Sequence, residues 1–295
     1  MPLISVHLTV KDSAHTLARA VTSSLASLPA DAELVVLDDA STDDVAGALA
    51  PITDRRLRLE RNPRSAGVGA ARQRLLDLTD SRVVATMDAD DVSLPGRFAR
   101  QLRALARDAD YVFSPVLNVW DGSRRVRPGL PAPISADAMP LHLLVHNLLC
   151  NPTMAARRDA VMAAGGYREV VAEDHDLWLR ALARGQRLVR LTAPGLAYRH
   201  HASQTSGAAA FIARAFADPQ LRASYREFVD RRFGVEATWL DALWSDESGT
   251  ERMRRDLAPL RALLDERSAS LGAPQRLVLS RTTRLLAMRL PDGRA

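Results

Sequence analysis

Apolar and polar positions along this chain follow two periods, and the switching between them organises the first two hundred residues. Ile4-Ser5-Val6-His7-Leu8-Thr9-Val10 has the two-residue period of a strand, and Leu17, Val21, Leu25 and Leu28 then recur at helical spacing behind an N-cap at Asp12 or Ser13. Residues 33–37 read as a second strand running into Asp38-Asp39-Ala40-Ser41-Thr42-Asp43, where Ser41 or Thr42 is placed to cap a short helix. Residues 57–60 form a third strand, at a sheet edge. Gly67-Val68-Gly69 opens a helix carrying Ala70, Ala71, Leu75, Leu76 and Leu78, and residues 81–87 are the fourth strand. Strands alternating with helices in this way imply an α/β fold with a doubly wound, mostly parallel sheet flanked by helices.

Further on, a helix is expected over residues 95–107 and a strand over 111–119, followed by a Pro/Gly-broken stretch, 121–133, long enough to act as a binding element or lid. A helix near 138–149 leads to Cys150-Asn151-Pro152-Thr153-Met154. Another starts near Arg157 and is closed by Gly165-Gly166, and one over 174–184 is stopped by Gly185. After Ser206 the period is helical only, with breaks near Pro219, Gly234, Gly249 and Gly272.

The length of 295 residues accommodates a full α/β core with an appended piece. A single cysteine, Cys150, excludes an internal disulfide framework and a Cys-rich metal site, fits a reducing cytoplasm, and leaves oxygen and imidazole as the metal ligands. No signal peptide or membrane span is apparent, which suggests a cytoplasmic protein that is soluble or peripheral on the inner face of the membrane. Of 40 basic residues, only Lys11 is lysine, and the net charge of +5 resides in residues 251–295, which hold ten arginines against five acids. That tail lacks the aromatics that a nucleic-acid surface interleaves with its charge, so no nucleic-acid partner is expected.

The strongest chemical signal is the run Val83-Val84-Ala85-Thr86-Met87, which stops in Asp88-Ala89-Asp90-Asp91. Ligands bind at the carboxyl ends of strands in open α/β sheets, and two carboxylates one residue apart there can converge on one hard cation. Such a cation would neutralise phosphates; the plainer alternative is a solvated acidic loop. Three further clusters fall at element ends: Asp38-Asp39, Glu173-Asp174-His175-Asp176 and His200-His201.

Taken in order, these motifs make residues 3–206 resemble the family 2 glycosyltransferases of the GT-A fold. The resemblance implies inverting, metal-dependent transfer of a sugar from a nucleotide diphosphate donor to a hydroxyl of a glycan, lipid-linked or small-molecule acceptor, with UDP-sugars favoured over GDP- or TDP-sugars. It also implies a domain over 1–206, donor-binding to about 95 and acceptor-binding from about 96, followed by a helical C-terminal extension over 207–295. Asp38, Asp39, Ser41 and Asp43 match the turn that contacts base and ribose, where a carboxylate can accept a pyrimidine N–H or ribose hydroxyls. Thr9 and Lys11 lie beside it on the donor side. Met87-Asp88-Ala89-Asp90-Asp91 matches the metal motif: Asp90 as direct ligand, Asp88 reaching ribose or the ion through water, and Ala89 at the donor. In Tyr198-Arg199-His200-His201-Ala202-Ser203-Gln204-Thr205-Ser206 the alignment selects His201 over His200 as the third partner, and its imidazole leans the choice between Mn2+ and Mg2+ toward manganese.

Glu173-Asp174-His175-Asp176-Leu177-Trp178 matches the family's acidic helix start, which makes Asp174 the base that takes the acceptor proton. Arg72, in Gly67-Val68-Gly69-Ala70-Ala71-Arg72-Gln73, matches an arginine that holds donor phosphate. Thr153, Gly166, Glu173 and Trp178 fall on the acceptor side, although packing is favoured over a sugar platform for Trp178, a helix-dipole role accounts for Glu173, and Gly166 can simply end a helix. Two departures stand out: Thr9-Val10-Lys11-Asp12 replaces the usual Pro-Val-Tyr-Asn, removing the aromatic that would stack on the base, and Gln73 replaces asparagine. Two other readings are a nucleotide-sugar-binding protein without turnover and a sugar-phosphate nucleotidyltransferase. The latter should carry a Gly-rich loop after the first strand, and residues 9–13 hold no glycine. In the tail, Leu277, Val278, Leu279, Leu285, Leu286, Met288 and Leu290 interleave with Arg276, Arg281, Arg284 and Arg289. Packing on its own domain or on a second subunit of a homodimer is favoured over peripheral contact with an anionic membrane.

Overall fold

The computed structural model describes residues 1–121, 125–129, 132–201, 209–245 and 250–288. The strands are β1 (Ile4–Val10), β2 (Ala32–Asp38), β3 (Leu57–Arg61), β4 (Val83–Asp88), β5 (Val92–Ser93), β6 (Tyr111–Phe113), β7 (Val116–Trp120), β8 (Val126–Pro128), β9 (Ala155–Arg157), β10 (Leu188–Arg190) and β11 (Leu196–His200). The α-helices of the first part are α1 (Ala14–Ser27), α2 (Val45–Leu49), α3 (Val68–Asp77), α4 (Arg97–Leu105), α5 (Met139–Val145), α6 (Arg158–Ala163) and α7 (Glu173–Ala183). Five more follow: α8 (Ala209–Ala217), α9 (Pro219–Phe233), α10 (Leu240–Leu243), α11 (Glu251–Ser268) and α12 (Ala273–Met288).

A seven-stranded sheet in the order β10-β6-β9-β4-β1-β2-β3 forms the centre. β1 pairs in parallel with β2 and β4, which brings Val10 beside Asp38 and Thr9 beside Asp88, so three strand ends open on one edge. Burial on both faces explains the near-continuous apolar run of β4, and in β1 it takes in the alternate polar Ser5 and His7 together with the apolar positions. Along β2, Leu34 and Val36 pack with Leu17, Val21 and Leu25 of α1, whereas Val35 and Leu37 pack with Ala71 and Leu75 of α3 on the opposite face. The alternation of β2 is therefore read by two helix layers, as a doubly wound sheet requires.

The expected strand over 111–119 is two strands in two sheets. Ser114-Pro115 separates β6, in the large sheet, from β7, in a four-stranded sheet ordered β5-β11-β7-β8, because proline supplies no N–H for a continuing ladder. The stretch 121–133, expected to be irregular, contributes β8, antiparallel to β7. The helix expected over 138–149 is shorter, ending at Val145 where His146 turns extended. β9 is antiparallel to both β4 and β6 and joins the two halves of the sheet. Ser13 is the N-cap of α1 as expected, without a side-chain capping bond, whereas the cap of α2 is neither Ser41 nor Thr42. Asp44 caps α2 by accepting from the Gly47 amide at 2.8 Å, and the first amide of α1, Ala14 N, donates to Asp43 Oδ2 at 2.7 Å.

The helical tail shares the core of the preceding region. Leu221, Tyr225, Phe228, Trp239, Leu257 and Leu279 belong to one apolar cluster with Leu141, Leu144, Leu177 and Trp178. Tyr225 Oη donates to Leu144 O at 2.7 Å, and Thr282 Oγ1 lies 2.7 Å from His142 Nδ1, tying α9 and α12 to α5. Val278 and Leu279 face inward while Leu277 is exposed. Packing on the same chain thus covers Val278, Leu279 and Leu286 of α12; the side chains of Leu285 and Met288 and residues 289–295, which include Arg289 and Leu290, lie outside what is described. Among the described residues no helix is long and apolar enough to cross a membrane.

Candidate active site

The loops after β1 and β2 are stitched together. Asp12 and Ala40 adopt positive φ angles of 50° and 57°. Asp12 Oδ1 accepts from Thr42 N at 2.7 Å, Asp12 N donates to Ser41 Oγ at 3.0 Å, and Lys11 Nζ donates to Ala40 O at 3.2 Å. The two aspartates at the end of β2 are engaged within the protein. Asp38 accepts from Ser41 N at 2.8 Å and pairs with Arg61. Asp39 accepts from Asn62 Nδ2 at 2.5 Å, Ser65 Oγ at 2.7 Å, Ala66 N at 2.9 Å and Gly67 N at 3.1 Å. Burial alone would raise the Asp39 carboxyl, but donors from Asn62, Ala66, Ser65 and Gly67 outweigh it and hold it below the usual carboxylate range. The side chains expected to reach base and ribose therefore build the loops, and leave Lys11 and half-buried Thr9 at the surface those loops form.

At the end of β4, one carboxylate oxygen from each of Asp88, Asp90 and Asp91 lies within 4.8 Å of the others. His201 Nε2 is 2.7 Å from Asp90 Oδ2. The adjacent His200 instead stacks on Trp120, with ring centroids 4.8 Å apart, and its Nε2 lies 2.8 Å from Asn118 Oδ1. Ala89 is buried between the acids. Asp91 Oδ1 accepts from Arg199 N at 2.9 Å, while its Oδ2 is buried without a partner. Burial, with Asp88 and Asp90 adding their charge, pushes Asp91 up to about 9. An orphaned carboxylate oxygen beside two more acids and an imidazole is the donor set that a hard or borderline divalent cation completes. The motif's remaining residues, 202–206, lie outside the described residues.

Arg72 crosses from α3 to the start of α7. It pairs with Glu173, and its Nη2 donates to Asp88 Oδ1 at 3.4 Å. With the Asn151 carboxamide oxygen facing the guanidinium, Nη2 also donates to it at 2.9 Å. Asp174 sits beside this network. Burial raises its carboxyl, opposed by Arg72 and by the backbone amide of His175, which donates to Asp174 Oδ1 at 2.6 Å. Asp88 is raised as well, first by burial and further by Asp90 and Asp174, so the candidate base and the candidate metal site share one electrostatic neighbourhood.

Three expected acceptor-side residues are placed differently. Trp178 is fully buried, edge-on to Phe113 at 5.1 Å, because the inward face of α7 meets the sheet. Thr153 is fully buried and donates to Cys150 O at 2.7 Å. Gly166, at φ 63°, lies under Gln73, whose Oε1 accepts from Tyr167 N at 2.8 Å. All three are buried among protein groups, which for Trp178 is the packing role favoured from the sequence. Asp176 is scaffold, accepting from Arg180 Nε at 2.9 Å and Ser224 Oγ at 2.6 Å.

Sequence reasoning missed Arg97 and Asn151. Arg97 is fully buried and donates to Thr86 O at 2.8 Å and Pro152 O at 2.6 Å, which fixes the end of β4 against the segment carrying Asn151. An arginine one helical turn from the acidic motif, on the same stripe as Gln101 and Leu105, was the available signal.

The family model described as Glycosyl transferase family 2 matches residues 5–164. Putative glycosyltransferase EpsE of Bacillus subtilis (strain 168) is 31% identical over 199 residues, covering 63% of this chain and 69% of EpsE. Among solved structures, S. aureus TarS in complex with UDP-GlcNAc superposes with a TM-score of 0.59 at 17% identity, covering 96% of this chain and 88% of that one. The mannosyltransferase PcManGT from Pyrobaculum calidifontis, in complex with GDP-Man and Mn2+, gives 0.56 at 18% identity, covering 97% and 85%. At such identities the likeness shows the fold, GT-A, alone.

Proposed function

The chain belongs to glycosyl transferase family 2, and we propose that it moves a sugar, with inversion, from a nucleotide diphosphate donor to a hydroxyl of a glycan, lipid-linked or small-molecule acceptor. UDP-sugars are the favoured donors, with GDP- and TDP-sugars next. The acceptor oxygen attacks the anomeric carbon, Asp174 takes the acceptor proton, and the bond to the diphosphate breaks with its electron pair leaving on the nucleotide. A carboxyl raised by burial suits this role, because a base works best with its pKa near the working pH. Asp90 and His201, with Asp88 through water, would hold Mn2+ or Mg2+, which when bound supplies positive charge to the leaving diphosphate. Arg72 adds a fixed charge at the same place. The loops built by Asp38, Asp39 and Ser41, with Thr9, Lys11 and Ala89, form the donor surface.

The observation that carries the reading is the Arg72 bridge, which holds Glu173, next to Asp174, and Asp88 around one guanidinium. The UDP-GlcNAc and GDP-Man of the two neighbours belong to those proteins; they support a nucleotide sugar here through the shared fold. Thermal shifts with UDP, GDP, TDP and CDP, each with and without Mn2+, test it. A manganese-dependent shift for one nucleotide is expected, and none with any of them would overturn the reading.

A further inference from the structure

Where β6 and β7 part at Ser114-Pro115, the wedge between the two sheets opens into a cavity of about 160 Å3, walled by Phe113, Ser114, Val116, Leu149, Cys150 and Arg190. Among the described residues its wall is apolar apart from Ser114 and Arg190, and Arg190 is the one charged lining residue. We propose that this cavity is an acceptor subsite for an oxyanion, a phosphate or carboxylate attached to an apolar chain, with Arg190 as its counter-charge. The proposal rests on the transferase reading for which side of the site the acceptor occupies.

Arg190 is nine-tenths buried at the edge strand β10, and its backbone exchanges two hydrogen bonds of 3.0 Å with Ile134, so its Cα is pinned. Nε and Nη2 both aim at a single acceptor, Ala132 O, at 3.4 and 3.1 Å. Nη1 makes no hydrogen bond and no carboxylate lies within ion-pair distance among the described residues. Nη1 is not sealed away from solvent, so the guanidinium keeps donors that anchoring one carbonyl does not use. An anion seated in the cavity would meet these donors, and the planar fork of Arg190 suits a carboxylate or phosphate.

The position favours the acceptor over the donor. β6 and β9 lie on one side of β4, while the donor loops follow β1 and β2 on the other. Cys150, in the cavity wall, adjoins Asn151, whose carboxamide faces Arg72. Its thiol is pushed up by burial and then by the charges of Asp91, Asp88 and Asp174, so the cavity wall and the acidic cluster share one electrostatic neighbourhood.

Isothermal titration of the full chain with octyl phosphate, nonanoate and octyl glucoside tests the proposal. At least one of the two anions should bind tenfold or more tighter than octyl glucoside, and the tighter of the two identifies the oxyanion. That preference should vanish in Arg190→Met and survive in part in Arg190→Lys, with the affinity for nucleotide and Mn2+ unchanged within about twofold. No anion preference in the native protein, or one retained in Arg190→Met, would overturn the proposal. Should Arg190→Met fail to fold, Arg190→Lys decides: an anion preference reduced but still present supports the subsite, and one unchanged from the native protein overturns it. Loss of nucleotide binding with the anion preference intact would instead count against the transferase reading alone.

Discussion

Glu173, at the start of α7, pairs with Arg72 of α3 across 101 residues of sequence, with side chains 5% and 11% exposed. The acid beside the candidate base is thus committed to holding a guanidinium, and that guanidinium in turn reaches Asp88. Breaking one half of a buried pair strands the other charge, at a cost on the order of 3 kcal/mol. Glu173→Gln is therefore expected to lower Tm by several degrees, and turnover by about tenfold as Arg72 loses its fixed position. An unchanged melting temperature by calorimetry would show that the pair does not organise the site.

Asp174→Asn removes the proton acceptor and keeps the shape. Transfer should fall by about 10²–10⁴-fold while nucleotide and Mn2+ bind as before. Product formation and a nucleotide titration on the same preparation check both halves; full activity in the variant would rule out the assigned base.

Asp90→Ala and His201→Ala should each abolish the metal-dependent part of nucleotide binding. EDTA should do the same to the native protein, with recovery on adding Mn2+. Titrating nucleotide at fixed Mn2+ reads this directly, and metal-dependent affinity surviving in both variants would dismiss the pair as ligands.

His142 is buried on α5 against Thr282 of α12, and burial, with the Arg190 charge adding, pulls it down to about 4. A histidine harder to protonate in the folded state than in the unfolded one contributes stability that is whole above its unfolded pKa near 6.5. That contribution is lost as pH falls toward 4, up to about 3 kcal/mol. His142→Asn cannot titrate, so the native protein should lose more stability than this variant between pH 7 and 4.5 in urea unfolding. Equal losses would mean that His142 carries no pH dependence.

Gly69 lies where a Cβ would stand 2.5 Å from Arg168 O, a backbone atom that cannot swing aside. Gly69→Ala should push α3 off the segment preceding α7 at a cost of about 1–3 kcal/mol, and displace Arg72 one turn further along. Gly67 has open space around it, but its φ of 86° would strain an alanine by about 1 kcal/mol. Urea unfolding of both variants checks the order.

The parallel half of the fold was legible because β1, β2 and β4 are buried on both faces and α1 and α3 present single apolar stripes, so period and burial agree. β9 was not, since three residues, Ala155-Ala156-Arg157, are too few to show a period and owe their strand state to β4 and β6 on either side. Element ends placed Asp88, Asp90 and Asp174, the family resemblance added Arg72, and the structure gathers them. Spacing did not reveal which way Thr153 and Trp178 point, because a residue type suited to binding a sugar is equally suited to a core. Nor could it reveal that the Asp39 carboxylate is taken up by four donors from the 62–67 loop, since three of those partners are backbone or small polar groups without a distinctive pattern.

The antiparallel seating of β9 also bears on how the chain emerges from the ribosome. Ala85 of β4, paired with Val6 of β1 on one side, finds its neighbour on the other side only in Ala155, 70 residues later. At synthesis rates of about 5–20 residues per second, one edge of the half-built sheet therefore stays bare for several seconds. Nascent chains stalled before residue 155 should be protease-sensitive and chaperone-bound in pulse-labelled translation, and those stalled well beyond α7 protected. The strand that unites the sheet is thus also the one that sets when the first half of the protein becomes safe to expose.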